Sequence, residues 1–375
     1  MTLRVLITGA RAPAALHLAR LLDSAGHHVV MADSLRWPVG AASSACSAYV
    51  RLPAASGPLD TYADAIEGAL RAHQIDLVLP TCEEVFYLAR IWDQRQMPAP
   101  LFAPSFDTLA TAHTKYAYVH LAASLGLNVP QTWELTRQSE LEALPLPADK
   151  LVFKPVWSRF ATRVLVRPAK PSCRPTPADP WVAQRFVPGH EVCAYAIAFE
   201  GKLVSVSAYR PTYRAGNGAG IALVPEQEPA ITDFIRQFIA GTAWHGQLSF
   251  DFIRQADGTL TAIECNPRAT SGIHFFTEAE VFARGLLKGQ ACQPDVTDTL
   301  GVKAALALYG PLQHPFRVWR DMARMDDVMT WPGDSGPAWR QGLATLELGG
   351  LALRHRISLT AATTQDIEWD GDHSP

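Results

Sequence analysis

The Asp257-Gly258 pair, at the centre of residues 247–266, most narrows what this chain can fold into. The segment reads Gln-Leu-Ser-Phe-Asp-Phe-Ile-Arg-Gln-Ala-Asp-Gly-Thr-Leu-Thr-Ala-Ile-Glu-Cys-Asn. Asp-Gly between apolar-alternating flanks predicts a two-residue hairpin of type I′, which needs positive φ at both positions. Folding the strands about that turn sets a register in which paired residue numbers sum to 515. Asp251 then faces Glu264, and Ser249 faces Asn266. Period-two alternation puts these four on one face and Phe250, Phe252, Ile263 and Cys265 on the other. Directly opposed side chains lie about 4.5–5.5 Å apart at Cβ, and like charges there repel. Two carboxylates so placed need a proton, a cation or open water. Oxygen donors together with Asn266 suit a hard ion such as Mg²⁺. The alternative is an exposed face on which both acids are hydrated. Asn266-Pro267-Arg268 weakens it, because an amide and a fixed cation arrive at the same strand end.

The rest of the chain is organised around this hairpin. Residues 3–8, 28–32 and 75–80 read as apolar strands, with helices near 10–22 and 62–73 between them. Such alternation implies a parallel α/β sheet, so residues 1–107 form a Rossmann-like unit. A dinucleotide site there needs a glycine-rich loop, whereas Gly9-Ala-Arg-Ala-Pro-Ala-Ala15 has one glycine and a proline. Asp33 ends the second strand, where an acid can mimic a ribose ligand. One helix is expected over 108–125, then a strand at 151–155 ending in Lys154-Pro155. The proline-rich stretch 168–180 is a surface loop. Strands follow at 181–187, 192–199 and 202–209, then a flexible loop at 216–220 and a helix over 230–242. Residues 291–375 read as a mainly helical extension, with Trp319, Trp331, Trp339 and Trp369 as packing anchors. The end, 363–375, is polar and acidic and reads as a mobile tail, within which Ile367 and Trp369 could dock.

The hairpin resembles the metal-binding hairpin of the ATP-grasp superfamily, an acid on one strand followed by Glu-x-Asn-Pro-Arg on the next. The upstream order is similar too. Lys115 resembles the first phosphate lysine, and Lys154, in Val152-Phe-Lys-Pro155, the second. Gln184-Arg-Phe-Val-Pro-Gly-His-Glu191 resembles the hinge and ribose motif. The resemblance spans roughly residues 1–290. It implies an α/β and α+β chain, in which the Rossmann-like parallel sheet precedes a two-lobed ATP-grasp domain with antiparallel sheets over 108–290. It implies an ADP-forming ligase that uses Mg-ATP, with Mn²⁺ as a substitute ion, to activate a carboxylate as an acyl phosphate for attack by an amine. By the same match Gln184, Arg185 and Val187 lie at the adenine and Glu191 at the ribose. Lys115 and Lys154 meet phosphate, Asp251, Glu264 and Asn266 hold the metal, and Arg268 stabilises the transferring group.

Two departures from the family pattern stand out. The phosphate-covering loop 156–163 has no glycine, and Ser158, Thr162, Arg159 and Arg163 are its substitutes. Ser249 stands where many relatives have an arginine, a charge that Arg210 or Arg214 could supply from a neighbouring strand. Glu83-Glu84 follow the third strand at the ligand-facing end of the sheet and could meet an amine. His274 is either a substrate-pocket group or a packed histidine. A nucleotide-binding protein without ligase activity and an NAD-dependent oxidoreductase are the other two classes.

Composition serves mainly to exclude. Net charge is −3, which argues against a general nucleic-acid binder. No apolar run approaches a membrane span. Six cysteines without a CxxC pair read as free thiols of a cytoplasmic protein. Lysines number seven among 33 basic residues, which makes Lys115 and Lys154 conspicuous. The expected partners are small-molecule carboxylates and amines, and the extension could form a homodimer contact.

Overall fold

The computed structural model describes residues 2–157, 163–216 and 218–371. The N-terminal part contains β1 (Arg4–Thr8), α1 (Pro13–Ser24), β2 (His28–Asp33), β3 (Ala48–Arg51), α2 (Leu59–His73), β4 (Leu77–Leu79) and α3 (Glu84–Gln94). Its sheet runs β3-β2-β1-β4, and every pair is parallel. Val5, Leu6, Ile7, Val29, Val30 and Met31 are fully buried. That is the pattern of strands covered by helices on both faces. The edge strand β3 is short and only half-buried, which is why its sequence carries little strand signal.

α4 (Phe106–His113) and α5 (Lys115–Ser124) replace the single helix expected over 108–125. Thr114 breaks it with an extended backbone, φ −67° and ψ 113°. Lys115 therefore opens a helix. A second sheet, antiparallel in order β5-β8-β6-β7, is built from β5 (Thr132–Leu135), β6 (Leu151–Pro155), β7 (Leu165–Val166) and β8 (Trp181–Arg185), with α6 (Gln138–Glu142) beside it.

The third sheet carries the hairpin. It uses β9 (His190–Phe199), β10 (Lys202–Arg214), β11 (Gly220–Glu226), β12 (Gly246–Arg254) and β13 (Leu260–Asn266). α7 (Pro229–Thr242) covers it, and α8 (Ala279–Lys288) follows. β11, a strand the sequence reading did not place, starts at Gly220, the last residue of the expected loop, and pairs with β10. Two two-residue strands from the C-terminal extension, β14 (Leu300–Gly301) and β15 (Asp326–Asp327), complete the order β13-β12-β9-β10-β11-β14-β15.

Asp251 pairs with Glu264, Ser249 with Asn266 and Phe250 with Cys265, as expected. The turn itself differs. Gly258 N–H donates to Gln255 C=O, Gln255 N–H donates to Thr259 C=O, and only Gly258 has positive φ, +86°. This is a three-residue loop, a type I turn closed by a glycine bulge, rather than type I′. It shifts the register near the turn by one, so Phe252 pairs with Ala262 and Arg254 with Leu260. A bulge between Asp251 and Phe252 takes up the extra residue, Ile263, and restores the expected pairing at the acids. Ile263 consequently leaves the apolar face, and Ala262, fully buried, takes its place beside Phe250, Phe252 and Cys265. That face packs on α7, with Phe238 and Phe250 rings 5.1 Å apart and Phe234 and Phe252 rings also 5.1 Å apart.

The extension continues with α9 (Lys303–Gln313), α10 (Arg317–Met322), α11 (Gly336–His355) and α12 (Leu359–Ala362). Beyond α12 the chain returns to the N-terminal sheet, so residues 363–371 are docked rather than a mobile tail. Arg11 binds both Asp33 and Asp366 at 2.6 Å, and Ser34 also bonds Asp366. Ile367 and Trp369 are buried, and Trp369 stacks on Phe86 with ring centroids 4.8 Å apart. Trp331 packs edge-on against His17 at 5.4 Å. Trp319 and Trp339 are not anchors: they are 54% and 85% exposed.

This docking also bears on the dinucleotide alternative. The crevice beyond β1 and β2 is lined by Gly9, Asp33 and Ile367 and retains only about 10 Å³. Asp33 is committed to Arg11, and a Cβ at Gly9 would meet Thr81 Oγ1 at 2.5 Å. Gly9 thus lets the β1–α1 turn approach β4, and no room is left at this crevice for a pyrophosphate. Among the described residues no helix is long and apolar enough to cross a membrane.

Candidate active site

Lys115, Lys154, Asp251, Glu264 and Asn266 come from three separate parts of the chain and meet between the two antiparallel sheets. Lys115 is 3% exposed, because it opens α5 facing inward rather than lying along a solvent face. Its Nζ is 3.6 Å from Glu264 Oε1 and donates to Val156 C=O at 3.5 Å. Lys154 is buried near the end of β6, and its Nζ donates to Gln184 Oε1 at 3.1 Å. Gln184 Nε2 in turn donates to Thr132 Oγ1 at 3.3 Å. Arg185, the last residue of β8, is exposed, and Val187 just beyond the strand is half-buried.

Across the large sheet, Asp251 on β12 pairs with Cys193 on β9 as well as with Glu264 on β13. Asn266 Nδ2 donates to Asp251 Oδ2 at 3.3 Å. The Cys193 thiol donates to Glu191 Oε1 at 3.3 Å, and Arg214 clamps Glu191 Oε2 at 2.8 Å. Ligand atoms of Glu191, Cys193 and Asp251 all lie within 4.8 Å of one another.

Charge in this cluster is unevenly shared. Burial, then Glu191, then Glu264 push the Asp251 carboxyl up to about 7. Burial also pushes Glu264 up, but Lys115 and Lys154, with His113 and Arg268, outweigh it and hold Glu264 below its ordinary value. Burial lowers Lys154, and Glu264 opposes that. Burial, with Asp251 and Glu191 nearby, holds the Cys193 thiol well above its ordinary value. A protonated thiol is no ligand for a hard cation. The oxygen donors Asp251, Glu264 and Asn266 do fit Mg²⁺, and a cation there would relieve the crowding that raises Asp251.

Arg268 leaves this strand end towards the N-terminal part, where its Nε lies 3.8 Å from Glu83 Oε1. Ser249 supplies no charge. Its hydroxyl donates to Arg268 C=O at 3.0 Å and bonds Thr270 Oγ1 at 2.9 Å, which ties down the segment carrying Arg268. Of the two arginines considered as substitutes, Arg214 reaches a site acid, whereas Arg210 binds Glu226 at 3.0 Å. Glu84 is buried and structural. Its Oε1 accepts from Thr8 Oγ1 at 2.6 Å and from the Thr81 and Cys82 N–H groups. His274 is a packed histidine, 4.8 Å from the His17 ring and pushed well below its ordinary value by burial.

In the glycine-free loop 156–163, Ser158, Arg159 and Thr162 lie outside the described residues. Arg163 pairs with Asp179 at 2.5 Å and stacks over Trp181. Sequence reading missed Cys193 and the Arg214–Glu191 clamp. Alternation along β9 could have placed Cys193 beside Glu191, but Arg214 reaches Glu191 only through the pairing of β9 with β10.

No protein-family profile matches the sequence, and no curated protein is similar to it at sequence level. Solved structures are similar in fold. An L-amino acid ligase from Bacillus licheniformis superposes with a TM-score of 0.58 at 16% identity, covering 76% of this chain and 74% of that one. An N5-carboxyaminoimidazole synthetase from Staphylococcus aureus gives 0.61 at 11% identity, covering 84% and 86%. The biotin carboxylase domain of a Hydrogenobacter thermophilus 2-oxoglutarate carboxylase, in complex with MgADP, ADP and bicarbonate, gives 0.59 at 11%, covering 80% and 74%. The chain therefore shares the fold of these three proteins, the ATP-grasp fold that its hairpin resembles.

Proposed function

We propose that this protein is an ATP-dependent, ADP-forming ligase that joins a small carboxylate to an amine. The observation that carries the proposal is the meeting of two buried lysines with the paired acids of the hairpin, Lys115 Nζ lying 3.6 Å from Glu264 Oε1. Buried cations and oxygen donors in one site are what a nucleoside triphosphate with its metal ion requires. The names of the structural neighbours, an L-amino acid ligase and a carboxylase domain with bound MgADP, support the same reading.

In this reading Lys115 and Lys154 neutralise phosphate oxygens, and Lys154 exchanges its bond to Gln184 for one to phosphate. Gln184, Arg185 and Val187 border the adenine, and Glu191, clamped by Arg214, borders the ribose. Asp251, Glu264 and Asn266 would hold a Mg²⁺ ion, which when bound would supply charge neutralisation for the phosphate groups. An oxygen of the substrate carboxylate attacks the γ-phosphorus, the bond to the β-bridging oxygen breaks, and ADP leaves. The amine then attacks the acyl carbon, the bond from that carbon to the phosphate oxygen breaks, and inorganic phosphate leaves with the proton the amine gives up. Arg268 stabilises charge on the transferring phosphoryl group. All six cysteines are free, as a reducing cytoplasm would keep them.

The test is nucleotide product analysis over a panel of carboxylate–amine pairs. ADP and phosphate are expected, and Arg268→Ala should lose most turnover while keeping much of its ATP affinity. AMP with pyrophosphate as the main products would overturn the mechanism. Mg-dependent ATP binding with no cleavage for any pair would favour a nucleotide-binding protein without ligase activity.

A further inference from the structure

A cavity of about 610 Å³ lies beside the site acids, between β9–β10 and the C-terminal extension. Its volume suits a metabolite-sized ligand. Glu191, the acid placed at the ribose, is part of its wall and also lies in the cluster with Asp251, so the cavity opens beside the nucleotide site next to that cluster. The opposite wall comes from His314 between α9 and α10, from α10 itself and from the turn after it, with Arg317, Asp321 and Arg324.

The charge of this lining is specific. Four arginines, Arg210, Arg214, Arg317 and Arg324, stand against two acids, Glu191 and Asp321. Both acids are already engaged. Glu191 is held by Arg214 at 2.8 Å. Asp321 accepts from the Tyr213 hydroxyl at 2.8 Å and from Arg317 Nε at 3.0 Å. Arg210 pairs outside the lining, with Glu226. Arg324 is exposed and makes no ion pair with any described residue. An excess of guanidinium groups, one of them uncommitted, recruits anions and disfavours cationic ligands.

We propose that this cavity holds the carboxylate substrate and selects molecules with a second anionic group, carboxylate or phosphate, which pairs with Arg324 and the adjacent Arg317. The inference rests on the ligase reading for the fate of the first carboxylate, but the binding preference stands on the cavity alone. It gives the C-terminal extension a role as the specificity wall of the site.

The experiment is a calorimetric titration of the full chain at constant ionic strength with butyrate, glutarate and phosphoglycolate, repeated with Mg-ATP while ADP release is followed. At least one dianion should bind at least about tenfold more tightly than butyrate, and Arg324→Gln should remove about tenfold of that preference. Which dianion binds identifies the second group. Equal affinities for all three acids, or an unchanged preference in Arg324→Gln, would overturn the proposal. Dianion binding lost in Arg324→Gln without ADP formation would uphold the cavity and count against the ligase. ADP formation as efficient with butyrate as with either dianion would uphold the ligase and overturn the selection.

Discussion

The Lys115–Glu264 contact offers a quantitative test of the site. The two groups are 3.6 Å apart, with side-chain exposures of 3% and 21%. At an effective dielectric of about 20 their attraction is about 4.6 kcal/mol. Desolvation of Lys115 and the partly open Glu264 offset more than half of this, leaving a coupling of about 2 kcal/mol. The perturbation is a double-mutant cycle, Lys115→Met, Glu264→Gln and both together. Urea unfolding of the metal-free protein near neutral pH is the assay. Glu264→Gln should cost more than Lys115→Met, because it leaves two buried lysines, Lys115 and Lys154, repelling each other. Removing Lys115 leaves Glu264 still facing Lys154. Repeated with Mg²⁺ and a non-hydrolysable ATP analogue, the coupling should shrink, since Glu264 then serves the metal and Lys115 the phosphate. A coupling under about 0.5 kcal/mol in the metal-free protein, or one that grows with nucleotide, would refute the reasoning.

Other perturbations test separate parts of the structure. Lys154→Ala should weaken ATP binding by roughly tenfold or more and adenosine binding little, because its proposed partner is phosphate; equal losses by calorimetry would mean that it acts through the fold. Burial lowers His17 to about 4, so the folded protein keeps this ring neutral while the unfolded chain takes up a proton near 6.5. Stability should therefore fall as pH drops from about 6.5 to 4, by roughly 3 kcal/mol, and His17→Gln should flatten that slope in unfolding curves; parallel slopes would contradict the assignment. Trp369→Ala should destabilise by about 3 kcal/mol and expose the C-terminal segment to protease, since the ring is buried against Phe86; an unchanged unfolding midpoint would show that the docking contributes nothing.

Much of the fold was legible in local pattern. Apolar runs marked β1, β2 and β4, and alternation about Asp257-Gly258 placed Asp251 opposite Glu264. The last result came through two offsetting differences, a three-residue turn and a bulge at Ile263. It held because burying Phe250, Phe252 and Cys265 against α7 admits only one face for the acids, whatever the turn does. What the residues specify by themselves is therefore periodicity, turn chemistry and the order of the motifs. These depend on neighbours a few positions away. The break at Thr114 that turns Lys115 inward and the return of Asp366 to Arg11 depend instead on packing. So does the cavity joining Glu191 to Arg324. Tertiary structure alone decided these, because their partners are far apart in the chain and are selected by shape and charge only after the sheets and helices have assembled.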